Sequence, residues 1–375
     1  MFKLIGTYSS SRWGRLSTPH GSLQTPFFMP DATRGFVKLI DSQSLRQTET
    51  KALVVNTFHL YLQPGLELIK KAGGLHNFIN WTGPLLSDSG GFQIFSLIHQ
   101  KKIKGKISDQ EVVFNSPLDG SKHKFSPEKS IRIQFDLGTD MIVCLDDCPP
   151  NEFKRIDLEK AVARTIAWAK RSKDEYERQV KKRGLTAKQR PLLFAVIQGG
   201  AEIDLRRKCA AELVKIGFDG YGFGARPVDK DGNFLSEVLQ ATADFIPQNA
   251  LRFALGIGNP KDIKYCYQHG WDMFDCVIPS REGRHGKLFY LHNYSQGFQT
   301  INIKNHSFRT KFKAISPLSS LKELKQYSLA FLHHLFKIND PLGSRLASLH
   351  NLEFYQLWLT ELRNKARQKI LKNKK

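Results

Sequence analysis

Apolar positions along this chain cluster into short, nearly continuous runs. Each run is followed by Gly, Asp, Asn or Gln and then by a helix-length segment. The clearest are TPFFMPDA (25–32), ALVVNTFH (52–59), PLLSDSGG (84–91), DMIVCLDD (140–147), LLFAVIQGG (192–200), GYGFG (220–224), LRFALGIG (251–258) and DMFDCVIP (272–279). Strands that read as unbroken apolar runs, without in–out alternation, are buried on both faces, as in a parallel sheet. Between them lie helical patterns such as 158–180 and 205–216. Eight such units over about 260 residues predict an α/β chain folded as a (β/α)8 barrel. A doubly wound open sheet is the alternative, but no GxGxxG follows the first run.

Three segments interrupt the alternation. Residues 101–124 are basic and turn-rich, which predicts an inserted hairpin or small sheet after the third strand. Residues 181–190 (KKRGLTAKQR) read as a mobile polar linker, and 287–308 as a small antiparallel β excursion. Helices are expected over 318–337 and from 341 to the end, fraying in the basic tail from Arg363. The expected organisation is a catalytic barrel over 1–290 and a basic C-terminal β/helical subdomain over 291–375, packed on the barrel.

Polar residues recur where a barrel would use them. Asp88, Asp146, Gln198, Gly224, Gly256 and Asp275 all stand at or near the C-terminal ends of apolar runs. In a (β/α)8 barrel those ends converge on one face, where the loops build the active site. Asp275 is the most pointed of them. It interrupts the apolar run 273–278, and Pro279 then hands over to a loop carrying Arg281, Arg284 and His285. A carboxylate inside such a run is costly to bury unless it has work to do. A solvated acid at a strand end is the plainer alternative.

Composition adds a partner. The chain holds 57 Lys and Arg against 35 Asp and Glu, a formal charge of +22. From Arg281 onward there are 18 basic and 5 acidic residues, so more than half of the excess lies in the last quarter. Such asymmetry favours a polyanion, most simply nucleic acid, because phosphate contacts release counterions. Hydrophobic content of 41% fits a globular protein. No stretch approaches the roughly 20 apolar residues that span a bilayer, and the N-terminus has no signal-peptide core. The expectation is a cytoplasmic protein without a membrane partner. Cys144, Cys148, Cys209, Cys266 and Cys276 are odd in number and lie mostly in apolar runs, so they read as reduced thiols. No CxxC announces a zinc site.

Two strand-end carboxylates, Asp88 and Asp275, suit nucleophilic and acid/base work at a glycosidic carbon. Asp88 could instead cap the helix that SDSGGFQ begins, although a cap does not explain the doubled glycine Gly90–Gly91. Asp146 and Gln198 have the donors and acceptors that read a planar base edge. Glycines at 199, 200, 222 and 224 would open backbone N–H groups as further donors. Phe92 is either a stacking face or core.

Several ordered motifs together carry a resemblance. SDSGGFQIFSL (87–97), VIQGG (196–200), DMFDCVIPSREGRHG (272–286) and HLFKINDPLGSRLASLHNLEFY (334–355) resemble the tRNA-guanine transglycosylases, the queuosine and archaeosine base-exchange family. The N-terminal RLSTPHGSLQTPFFMP and NTFHLYLQPGLELIKKAGGLHNFINW resemble it in the same order, so the likeness spans nearly the whole chain. It implies a barrel enzyme that replaces a guanine in tRNA, in the anticodon or D-loop region, by a 7-deazaguanine. Asp275 then matches the nucleophile and Asp88 the general acid/base. Asp146, Gln198, Gly224, Ala225, Phe92 and Leu255 form the base-binding set. Ser280, Arg281 and Arg284 match the nucleic-acid contact segment. Tyr327, Phe331 and His334 fall where bacterial members place a homodimer contact.

The sequence departs from the family pattern twice. Members usually bind a structural zinc through CxCxxC and a later His; here Ser319, Leu321 and Leu324 replace the cysteines and only His350 remains. One His does not make a zinc site, so no metal or other cofactor is expected. Leu321 and Leu324 would then substitute apolar packing, and His350 becomes a core residue. The second departure is Gly224-Ala225 in place of a double glycine, with Lys230 near a customary Glu. A Lys there would repel a cationic aminomethyl substituent, and Asp229 or Asp231 would have to compensate. Two alternatives stand beside tRNA base exchange: a related enzyme inserting a deazapurine into DNA, and a non-catalytic RNA-binding partner subunit.

Overall fold

The computed structural model describes residues 1–151, 153–291 and 297–372. The apolar runs form eight parallel strands: β1 (Phe27–Pro30), β2 (Leu53–Asn56), β3 (Leu85–Asp88), β4 (Met141–Val143), β5 (Leu192–Ile197), β6 (Gly220–Phe223), β7 (Leu251–Ala254) and β8 (Met273–Cys276). The sheet runs β1-β8-β7-β6-β5-β4-β3-β2, and a parallel bridge from Asp31 to Val54 joins its two ends. It is a (β/α)8 barrel, not an open doubly wound sheet.

Alternate strand residues divide between two apolar layers. Phe27, Met29, Leu86, Met141, Val143, Phe194, Val196 and Phe253 fill the barrel interior. Leu53, Val55 and Leu85 on one side, and Ala195, Ile197 and Phe223 on the other, face the surrounding helices. Burial on both faces is why the runs show no alternation in hydropathy.

An antiparallel sheet of three strands (Phe2–Tyr8, Ser11–Thr18 and Gly21–Gln24) precedes the barrel. Sequence reasoning missed it, although every second residue of Phe2–Tyr8 is shielded. Leu16 and Leu23 from this sheet join the interior cluster and close the barrel at its N-terminal end. Two anchors hold it there. Arg12 donates to Asp272 at 3.0 Å and to the Ala250 carbonyl at 2.8 Å. His20 and His76, their rings stacked at 3.6 Å, both engage Asp140.

After β3 the insertion forms a sheet of three short strands (Gly105–Ile107, Val112–Asn115 and Lys122–Phe125), in the place expected for it. Residues 181–190 are not a loose linker. Lys181 and Lys182 end the helix Arg155–Lys182, Arg183 bonds Asp136 at 2.6 Å, and Arg190 grips Asp219 through both guanidinium ends. Two of the five charges that made the segment look solvated, Arg183 and Arg190, are paired.

After β8 the helix Ile278–Arg284 leads into the antiparallel pair Lys287–Leu291 and Phe298–Asn302. The span expected as one helix over 318–337 is two helices, Lys322–Gln326 and Leu329–Lys337, the second capped by Ser328. The helix Pro341–Lys372 then returns along the barrel. Its Asn351 donates to the carbonyls of Pro279 and Lys287 and accepts from Phe289 N–H, so it clamps the segment that carries β8 into the C-terminal region.

Candidate active site

The C-terminal ends of the strands surround a cleft of about 610 Å³. Asp31, Asp88, Asp146, Gln198, Gly224, Ala225, Leu255 and Asp275 line it, with Phe92 and Arg281 at its edge. The fold therefore brings together residues spread over most of the chain.

Asp88 is the last residue of β3 and sits in a ring of donors. Asn56 Nδ2 reaches it at 2.7 Å, Thr57 N–H at 3.1 Å, Gly90 N–H at 3.0 Å and Gln93 Nε2 at 3.3 Å. It does not cap the following helix; Gly90 does, in the left-handed region at φ +79° and with no side-chain cap. A Cβ at Gly90 would also press on the backbone of Phe58. The doubled glycine thus lets the chain turn tightly enough for Asp88 to face the cleft. Desolvation pushes the Asp88 carboxyl up to about 7; the backbone donors oppose the shift, and the charges of Asp31 and Asp275 add to it.

Asp275, on β8, accepts one backbone bond from Gly256 N–H at 2.9 Å. Its carboxyl is likewise pushed up to about 7, by desolvation first and by Asp31 in addition. Two carboxylic acids poised near neutrality in one cleft are the pattern of an acid/base or nucleophilic pair.

Opposite them, Gln198 Nε2 donates to Asp146 Oδ2 at 2.6 Å, and Asp146 is itself raised to about 7 by desolvation. Gln198 Oε1 is buried with no hydrogen-bond partner among the described residues. One amide hydrogen of Gln198 is engaged on Asp146, which leaves its second hydrogen and the buried acceptor beside that carboxyl. The expected backbone donor at Gly224 is also engaged. Its N–H bonds the Ile197 carbonyl at 2.9 Å and its carbonyl accepts from Arg206 at 2.9 Å. What residue 224 must lack is bulk, because a Cβ there would collide with the Gln198 amide. Ala225 follows at φ +76°, a left-handed conformation that a β-carbon disfavours.

The remaining expected residues divide. Phe92 is 49% exposed, which excludes the core alternative and leaves its ring at the cleft edge. Leu255 packs over Gly222, where a Cβ would strike its Cδ1. Arg281 faces the cleft, while Arg284 is part-buried, its Nη1 without a hydrogen-bond partner among the described residues. Ser280 is turned inward, at 3% exposure, with its hydroxyl on the Val277 carbonyl. The Ser280 hydroxyl is therefore not presented at the surface, whereas Arg281 is. Asp229 holds the turn of its own loop by accepting from Asp231 N–H and from Asn233, and neither it nor Asp231 lines the cleft.

Sequence reasoning missed Asp31, a fourth carboxylate in the cleft, held by Thr33 N–H at 2.7 Å. Its signal was available, because it directly follows the apolar run of β1 as Asp88 ends that of β3. Asn56, which orients Asp88, carried the same signal as the last residue of β2; Gln93, inside the following helix, carried none.

At the positions considered for zinc, Ser319 (2% exposed), Leu321 (2%) and Leu324 (0%) are buried, and both leucines belong to the apolar cluster beneath the C-terminal helix. His350 Nε2 donates to the Phe289 carbonyl at 2.8 Å, and burial lowers its pKa to about 4, so the ring is neutral. Glu353 takes over the tethering of this loop by accepting from Ser320 N–H at 2.7 Å and Ser320 Oγ at 2.8 Å. One imidazole nitrogen and a hydroxyl do not fit the four N/S ligands of a structural zinc.

Among known proteins, the family model described as queuine tRNA-ribosyltransferase matches residues 8–374. The queuine tRNA-ribosyltransferase of Halothermothrix orenii is 39% identical over 361 residues, covering 96% of this chain and 91% of that protein. That of Staphylococcus aureus RF122 is 39% identical over 360 residues, covering 96% and 90%. With the family model spanning almost every residue and the strand-end groups gathered in one cleft, the chain belongs to the queuine tRNA-ribosyltransferase family.

Proposed function

We propose that this chain exchanges a guanine in tRNA for a 7-deazaguanine through a covalent aspartyl-ribosyl intermediate. The observation that carries the reading is the convergence of Asp88 and Asp275, both with raised pKa, opposite the Asp146–Gln198 pair in one cleft. The Asp275 carboxylate attacks C1′ of the ribose, and the glycosidic bond to guanine breaks. Asp88, protonated, supplies the proton that the departing base needs. The incoming 7-deazaguanine loses its ring proton to the Asp88 carboxylate and attacks C1′, which expels Asp275 and restores both groups. Two steps on opposite faces of C1′ retain its configuration.

Asp146 accepts from the ring N–H and exocyclic amine of the base. Gln198 presents its acceptor beside Asp146, and Phe92 and Leu255 cover the ring faces. Arg281 and Arg284 hold the flanking phosphates. The 7-substituent we assign is neutral, because neither acid of the 229–231 turn lines the cleft, Asp229 is engaged in its own turn, and Lys230 stands near the position of the family's customary Glu. The chain works without zinc. Tyr327, just before the helix Leu329–Lys337, stacks on Phe331 of that helix at 5.0 Å, and with the exposed His334 the pair supplies a homodimer contact.

The test is incorporation of labelled guanine by the purified protein into tRNA and into duplex DNA in parallel. Exchange into tRNA alone is expected. Exchange into DNA alone would move the chain to the deazapurine-into-DNA reading, and exchange into neither would leave it a non-catalytic RNA-binding subunit.

A further inference from the structure

A second depression of about 610 Å³ lies outside the cleft, between the helix Pro260–Gln268, the C-terminal helix and the N-terminal sheet. Four exposed lysines line its two walls. Lys261 and Lys264 stand one turn apart on one helix, and Lys365 and Lys369 one turn apart on the other. Trp358 and Phe298 give it an aromatic lining, and Lys369 sits 4.8 Å above the Tyr8 ring. Tyr267, 3% exposed, contributes a phenol oxygen with no hydrogen-bond partner among the described residues. The acid in the lining, Glu361, is already paired with Lys365 at 2.6 Å.

The groove shares no lining residue with the cleft, but the chain links the two. Lys261 lies five residues beyond Gly256, whose N–H holds Asp275. Between them, Gly258 packs against Cys276 of the cleft wall, and its carbonyl accepts from Tyr355 of the C-terminal helix at 2.5 Å. A polyanion bound at the cleft that ran on along this flank of the barrel would meet lysines on both walls of the groove. Lysines at one-turn spacing beside aromatic rings match the phosphates and unstacked bases of a nucleic-acid strand.

We propose that this groove binds the phosphodiester backbone of the tRNA outside the exchanged nucleotide. The inference rests on the tRNA reading above, and it extends the contact surface from the Arg281 loop down the side of the barrel.

The test compares binding of full-length tRNA to the wild type and to the triple variant Lys261→Glu, Lys264→Glu, Lys369→Glu over a salt series. A control triple, Lys181→Glu, Lys182→Glu, Lys188→Glu, changes the charge equally at an exposed site elsewhere. Loss of three phosphate contacts should flatten the slope of log K against log salt by about 2 to 3 and weaken binding at least tenfold. The control should move both much less. Guanine exchange on a short stem-loop that ends before the groove should be unchanged in the groove variant. Equal losses in the two triples, or an unaltered slope in the groove variant, would overturn the proposal. A wild type that binds tRNA but exchanges nothing would instead defeat the reading of the cleft and leave the groove standing.

Discussion

Gln198 Nε2 lies 2.6 Å from Asp146 Oδ2, and the Cα of Gly224 packs against the same amide. The pair spans two strands, and the missing side chain on a third sets its position. Gly224→Ala puts a methyl group where the amide stands, so Gln198 must rotate and its buried acceptor loses its aim. The expected result is a rise of about tenfold in KM for the incoming base with kcat nearly unchanged, the size of one or two lost hydrogen bonds. Steady-state kinetics with saturating tRNA check it; an unchanged KM would mean that Gln198 does not touch the base.

Asp275→Asn removes the nucleophile but keeps the Gly256 bond acceptor. No covalent nucleic-acid adduct should survive denaturing electrophoresis, and exchange should fall by at least about 10³-fold. Persistence of the adduct would assign the nucleophile to another group, with Asp31 the first to examine.

Both Asp88 and Asp275 are raised to about 7. The first step needs one ionised and one protonated carboxyl, so kcat/KM should trace a bell centred near neutrality, whose two limbs belong to the pair. Asn56→Ala withdraws a donor to ionised Asp88 and should move the alkaline limb to higher pH. On stability the sign is also set. A carboxyl with its folded pKa above its unfolded value binds its proton more tightly when folded, so stability falls as pH rises from about 4 to 7. Asp88→Asn should flatten that slope in thermal melts.

The purified protein should contain well under one equivalent of zinc by elemental analysis, and a chelator should not shift its Tm. The loop should instead depend on packing. Leu324→Ala, at 0% exposure, should cost about 2 to 5 kcal/mol, measured by denaturant unfolding. One equivalent of zinc would refute the replacement of the metal by apolar side chains.

The hydrogen bond that His20 donates to Asp140 raises the His20 pKa above its ordinary value, while bonds from His20, His76 and Leu85 N–H hold Asp140 low against the cost of burial. His20 should therefore contribute its full stabilisation below about pH 6.5 and lose it as pH rises through its folded pKa. Half-exposure of the ring limits the effect to about 1 kcal/mol or less. His20→Ala should remove this component from the pH dependence of Tm; an unchanged profile would show that the anchor does not need the charge.

Much of this protein was legible in one dimension. Strands buried on both faces, such as Leu192–Ile197, must read as continuous apolar runs, so the count and order of barrel strands lay open in the hydropathy pattern. The ends of those runs marked Asp88, Asp146, Gln198 and Asp275, because a polar group closing an apolar strand stands out against its neighbours. The ordered motifs supplied the family. Hydrogen-bond partners were not legible, because they are set by neighbours far apart in sequence. That Gly224 serves as space for Gln198 rather than as a donor, that Ser280 turns inward while Arg281 faces the cleft, and that 181–190 is held by Asp136 and Asp219 all depend on which strands and helices become adjacent. Sequence alone determined where the chemistry sits along the chain; only the closed barrel decided which atoms remain free to perform it.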